Sequence, residues 1–115
     1  MLIRIDPSSS RPLFAQVASA VRAEVVAGRL SPGDRLPPAR DVAAALDINV
    51  HTVLHAYQDL RDEGLIELRR GRGATVTEAA RPLAALNSEV TRLAEHAAAL
   101  GVGRDTLAAL IKEMP

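Results

Sequence analysis

The sequence predicts a mainly α fold with one small β-hairpin, and three observations predict it. Apolar residues recur at helical spacing in five stretches of the 115-residue chain. Two short β-prone runs, Leu65–Arg69 and Ala74–Thr77, flank Arg70-Gly71-Arg72-Gly73. Between the second and third helical stretches there is room only for a tight turn, at Asp47-Ile48. Two helices joined by a turn and followed by a hairpin make a winged helix-turn-helix domain, and two C-terminal helices come after it.

Taken in order, Leu2, Ile3 and Ile5 read as a short strand stopped by Asp6-Pro7, because proline lacks the ladder donor. Ser8-Ser9-Ser10 is a cap-rich loop, and Pro12 sits near a first helical turn, where its missing N–H costs nothing. The first helix sets Leu13, Val17, Ala20, Val21 and Val25 on one stripe, and Gly28 with Pro32-Gly33 ends it. Asp34-Arg35-Leu36-Pro37 is too short to stand alone and is expected to pair as an edge strand with the hairpin. The second helix starts at Pro38 or Ala39, with proline where a Ser or Asp cap would stand, and turns Val42, Ala45 and Leu46 inward. Asp47 falls where the turn needs a left-handed residue, a conformation Asp tolerates better than most. Asn49 caps the third helix, whose inward face is Val53, Ala56, Tyr57 and Leu60; Asn49, His51, Thr52, His55 and Gln58 face outward. Gly64 stops that helix.

Glu78 to Arg81 reads as a linker, which divides the chain into a winged domain, 1–77, and a tail, 78–115. In the tail Pro82 opens an Ala-rich helix carrying Leu83, Leu86, Val90, Leu93 and Ala97. Gly101 and Gly103 break it, and a last helix carries Leu107, Leu110 and Ile111. Helices this short are marginal alone, so their apolar stripes need a partner surface, either the winged domain or a second copy.

Composition narrows the class. Fourteen basic and fourteen acidic side chains cancel, so bulk charge does not point to nucleic acid, and distribution matters more than the sum. Residues 1–77 hold ten Arg against nine acidic groups, and the one dense basic cluster is Arg69, Arg70 and Arg72. Thirteen of the fourteen cations are Arg, which suits bidentate contacts to phosphate or guanine, or reflects a genome-wide preference for Arg. The absence of cysteine excludes disulfides, thiol catalysis and cysteine metal sites. No apolar run approaches the roughly 20 residues of a membrane span, and the start lacks a signal-peptide core, so a cytoplasmic protein with no membrane partner is expected.

The outward face of the third helix is polar, small and uncharged at its start, which suits base edges. Asn pairs with adenine, Thr donates to a base or meets a thymine methyl, and His donates to guanine. An ordinary solvated face is the alternative, and the adjoining turn and hairpin weigh against it. Arg35 and Arg40 bracket the start of the second helix, within reach of phosphate or guanine, or else pair with Asp34 or Asp41. Arg69, Arg70 and Arg72 lie where the hairpin turns, and Gly71 allows the backbone a close approach to a groove. His51 and His55 have the i, i+4 spacing of two zinc ligands, but nothing completes a set, so no metal or cofactor is expected. His96 reads as a helix-surface residue. There is no nucleophile triad, P-loop or dinucleotide fingerprint, so no catalytic residue is assigned.

Pro12 to Val76 resembles the amino-terminal domain of GntR-type bacterial transcriptional regulators. The likeness rests on PGDRLP, the PxR before the second helix, TV in the third helix, DEGLI and RRGRGATV, all in order. The tail, ending in LGVGRDTLAALIKEM, is similar to the small YtrA-type subgroup. The resemblance implies a homodimer on an operator of two-fold character in double-stranded DNA, repressing its own operon. It assigns Arg40 a DNA contact, Arg70-Gly71-Arg72 the wing tip, and Asn49, His51 and Thr52 the start of the recognition helix. It makes Leu83, Leu86, Val90, Leu93, Leu107, Leu110 and Ile111 the dimerisation surface. Val50, Leu54 and His55 depart from the cations common in relatives, which changes base preference and flattens the salt dependence. Asp47 replaces a frequent Gly.

Two rival classes carry their own signals. A winged helix that binds protein would tolerate changes at Arg40 and Arg70, and a metal- or ligand-sensing regulator would depend on His51 and His55. A fragment of a regulator fused to an aminotransferase-like domain would need a lysine-bearing cofactor site beyond this length. Any small-molecule effector needs a crevice between copies or domains, because a 38-residue tail encloses no sizeable pocket.

Overall fold

The computed structural model describes residues 3–115. The order is α1 (Leu13–Val26), α2 (Ala39–Leu46), α3 (Val50–Asp62), β1 (Ile66–Arg69), β2 (Gly73–Val76), a 3₁₀ turn (Glu78–Ala80), α4 (Arg81–Ala99) and α5 (Arg104–Glu113). A mainly α architecture with one antiparallel hairpin is what the sequence predicts.

The chain divides into two compact units, one ending at Ala84 and the other spanning Ala85–Pro115. In the first, α1, α2, α3 and the hairpin enclose one core. Val17, Val21 and Val25 of α1 meet Val53, Ala56, Tyr57 and Leu60 of α3, and the hairpin adds Ile66, Ala74 and Val76. Leu60, Val17, Val21 and Val53 are fully buried, so truncating Leu60 to Ala would remove about 2–5 kcal/mol. On α2 the inward residues are Val42 and Ala43, with Leu46 half-buried; Ala45 is exposed, contrary to the expected pattern. Val42 and Leu46 lie on one line of the helix, and the face turned inward takes in Ala43 on one side of that line rather than Ala45 on the other.

Side chains and main-chain groups tie the elements together. Glu24 is the one buried charged side chain among the described residues, and Arg29 Nε donates to it at 2.9 Å. That hydrogen bond holds the Glu24 carboxyl below its ordinary range. Arg22 forks onto Glu63 at 2.9 and 2.6 Å, linking α1 to the end of α3; both groups are substantially exposed, so the pair adds under about 1 kcal/mol. Asp47 takes the left-handed conformation, φ 54° and ψ 50°, and the N–H of Ile48 donates to Ala43 O at 3.0 Å, closing α2 as α3 begins two residues later.

Three expectations need correction. Ile3 and Ile5 form no strand, and Leu2 lies outside the described residues. Ile3 is buried in the core and Ile5 packs on it, and the Gln16 side chain holds the following Asp6, accepting from its N–H at 2.7 Å and donating to its carbonyl at 3.0 Å. Residues 34–37 pair with the hairpin as expected, but through a single bridge, Arg35 opposite Thr75, and not as a strand. Leu36 donates to Ala74 and Val76 donates to Asp34, both at 2.9 Å, and Pro37, lacking an N–H, stops the pairing. Glu78 to Arg81 is no linker: the 3₁₀ turn runs straight into α4, Ala80 is buried in the first core and Leu83 packs on it. The compact division falls after residue 84.

In the second unit, α4 ends at Ala99, and in the turn that follows Val102 N–H donates back to Ala97 O at 2.8 Å. Leu86, Val90, Leu93, Leu110 and Ile111 are all exposed, and α5 has no buried residue.

Tyr57 generates a test. Its hydroxyl donates to the Pro37 carbonyl at 2.7 Å, and burial pushes its pKa from 10.0 to about 12. Below pH 10 the stabilisation is whole; between pH 10 and about 12 the unfolded chain ionises first and stability falls. Tyr57→Phe is expected to abolish that alkaline loss while lowering neutral stability by about 1–3 kcal/mol, since Pro37 O loses its donor. Thermal melts of both proteins from pH 7 to 12 check it.

Candidate nucleic-acid interface

The site is built where α3, the start of α2 and the hairpin turn converge. Asn49 begins α3 in an extended conformation, and its side-chain oxygen accepts from His51 N–H at 2.8 Å. The amide NH₂ of Asn49 stays exposed and available to a base. His51 is exposed on the first turn, and Thr52 is half-buried on the flank.

Strand register places the arginines. Arg69 pairs with Gly73 across the hairpin, leaving Arg70-Gly71-Arg72 as a three-residue turn. Gly71 and Gly73 have φ of 79° and 73°, a region that strains any L side chain. The Arg35–Thr75 bridge lays the chain before α2 along the outer edge of this hairpin. As a result Arg35, Arg40, Arg69 and Arg72 line one crevice of about 460 Å³ together with Gly71. Arg69 and Arg70 also border a second crevice with Pro38, Leu54 and Tyr57.

Of these cations Arg69 is paired, donating to Glu67 at 3.0 Å. Arg40 Nε lies 3.8 Å from the Asp41 carboxylate, but both side chains are largely in water, so the pair holds Arg40 weakly. Arg35, Arg70 and Arg72 make no ion pair among the described residues. Electropositive groups on two elements thus converge in a chain with zero formal charge.

One expected contact is placed differently. His55 stacks on Phe14 of α1, ring centroids 3.8 Å apart, and its Nε2 lies 3.6 Å from Asp59 Oδ1. Its ring face is occupied, and an exposed edge remains. His51 and His55 join no group of three or more metal-ligating side chains among the described residues. Leu54, named for its departure from the cation of relatives but not among the expected contacts, is exposed on the same face, three residues after His51.

The cap and the base-facing amide of Asn49 can be separated. Asn49→Ala is expected to destabilise the fold by about 1 kcal/mol, lowering Tm by roughly 4–8 °C. Asn49→Asp keeps the accepting oxygen and the wild-type Tm but loses the amide donors. Calorimetry of the two variants distinguishes these outcomes.

Comparisons with known proteins agree with the architecture. Residues 13–76 match the family model for bacterial regulatory proteins, gntR family. The HTH-type transcriptional repressor YtrA of Bacillus subtilis is 40% identical over 80 residues, covering 70% of this chain; the match spans only 62% of that protein. The HTH-type transcriptional regulator Rv1152 of Mycobacterium tuberculosis is 31% identical over 113 residues, 98% of this chain and 93% of that one. YtrA from Sulfolobus acidocaldarius, a GntR-family transcription factor of known structure, superposes with a TM-score of 0.64 at 31% identity, covering 86% of this chain and 99% of that one. No helix among the described residues is long and apolar enough to cross a membrane. The chain belongs to the gntR family of bacterial regulatory proteins, in its YtrA-type subgroup.

Proposed function

We propose that this chain is a homodimeric repressor that binds an operator of two-fold character in double-stranded DNA and controls its own operon from the cytoplasm. The observation that carries the DNA-reading surface is the convergence of Arg35, Arg40, Arg69 and Arg72 on one crevice at the hairpin turn. In this reading α3 enters the major groove, presenting Asn49, His51 and Thr52 to base edges, with His55 contributing its exposed edge. Arg40 and Arg35 hold phosphates beside that groove, and Arg70-Gly71-Arg72 rests on the backbone or in the adjacent minor groove. The relative named a repressor supports the direction of control.

The second unit is proposed to form the dimer. Val90 and Leu93 of α4 and Leu110 and Ile111 of α5 are roughly half exposed, and together with Leu86 and Leu107 they form an apolar surface too extensive for two short helices in water. Leu83 drops out of this surface, since it packs on the first core.

Selection of genomic DNA fragments on the purified protein near physiological salt tests the reading. Wild type is expected to enrich a two-fold-symmetric motif, and Arg40→Ala to bind it about 1–3 kcal/mol more weakly. Equal affinity for the motif would remove Arg40 from the contact surface. In sedimentation, Leu93→Glu is expected to convert dimer to monomer, because pairing would bury an unmatched charge. A persistent dimer would mean that α4 and α5 are not the interface.

A further inference from the structure

Among the described residues up to Ala84, Leu54 is the one large apolar side chain that is exposed, at 38%. Every other one is buried or half-buried, and Leu54 takes no part in the core. It follows His51 by three residues and precedes Gln58 by four, so the three share the outward face of α3. A single exposed leucine is ordinary on a protein surface, so exposure alone decides nothing. Its neighbours decide. The crevice that Leu54 lines is bordered by Arg69 and Arg70 of the hairpin, and only Arg69 has an acidic partner. An apolar side chain beside a free guanidinium suits a polyanion that carries an apolar group close to its phosphates. In the major groove of duplex DNA the apolar group on a base edge is the C5 methyl of thymine, which lies at the groove wall beside its own strand.

We propose that Leu54 is a specificity-determining residue that reads thymine through its C5 methyl while Arg70 engages a neighbouring phosphate. The inference rests on the DNA-binding reading above and deepens it by naming a base and an atom. Leucine has no donor or acceptor, so it discriminates by apolar contact and by excluding polar edges. A cytosine at that place would set its N4 amino group against a surface that cannot accept its hydrogen bond.

The probe is the duplex recovered from the genomic selection, with the thymines of its motif replaced one at a time by uracil. This exchange removes only the methyl and leaves pairing and O4 intact. Wild type is expected to lose about fourfold in affinity at one thymine per half-site, the value of one buried methyl. Leu54→Ala is expected to bind the thymine and uracil duplexes equally, with an unchanged melting temperature. Leu54→Met, which keeps an apolar contact, is expected to retain the preference. Wild type indifferent to uracil at every position, or Leu54→Ala keeping the full preference, would overturn the role of Leu54 and leave the DNA-binding reading intact. Failure of wild type to bind any duplex would overturn both.

Discussion

The hydroxyl of Tyr57 donates to the carbonyl of Pro37, and the geometry of the interface depends on that bond. Tyr57 belongs to the buried face of α3, while Pro37 ends the segment bridged to β2 and precedes the first residue of α2. One hydrogen bond therefore registers three elements against one another: the helix that presents Asn49 and His51, the helix start that carries Arg40, and the hairpin that carries Arg70 and Arg72. The bond is part-buried, so water competes with it less than at the surface, and its loss would leave an acceptor unmatched. The prolines beside it make this economical. Pro37 and Pro38 restrict the chain before folding, so less freedom is lost when the α2 start is fixed in place.

Zero net charge is compatible with a cationic face because most of the described acidic groups near the core already have partners. Glu24 is taken by Arg29, Glu63 by Arg22, Asp59 faces His55 and Glu67 faces Arg69. Arg35, Arg70 and Arg72 are left with their charge uncompensated at one end of the unit. Pairing, rather than an excess of arginine, creates the local potential, and short-range pairing survives salt better than a diffuse field would.

Local chemistry was legible in the sequence, and long-range accommodation was not. Asn49 as a cap and Asp47 as a left-handed turn residue are decided by the few residues around them, and both appear as expected. The Ile3–Ile5 segment has strand composition, but its apolar side chains are taken up by the core without a strand partner, and Gln16, from α1, anchors the Asp6 that follows. Glu78 to Arg81 lacks hydrophobic periodicity and so reads as a linker, yet a single buried Ala80 ties it to the first core. The candidate contacts were legible one by one. The pairing of residues 34–37 with the hairpin, forty residues on, was legible too; the crevice in which it sets Arg35 and Arg40 beside Arg69 and Arg72 was not, because that depends on how the start of α2 packs against the turn. Nor does spacing on α3 disclose that Phe14, from another helix, covers the ring of His55.

The hairpin turn has a consequence for what variation at Gly71 can report. A Cβ built there would meet nothing within 4 Å, so the fold has open space at that point, and only the backbone, at φ 79°, resists a side chain. The restriction is one of handedness rather than of volume. A residue of mirror-image chirality favours that region of dihedral space, and D-alanine introduced by chemical synthesis would fit the turn and stiffen it. An L-residue at the same place distorts the loop that aims Arg70 and Arg72, whatever lies opposite. Intolerance at Gly71 therefore speaks about the shape of the tip, and the identity of what the tip touches has to be learned from its arginines.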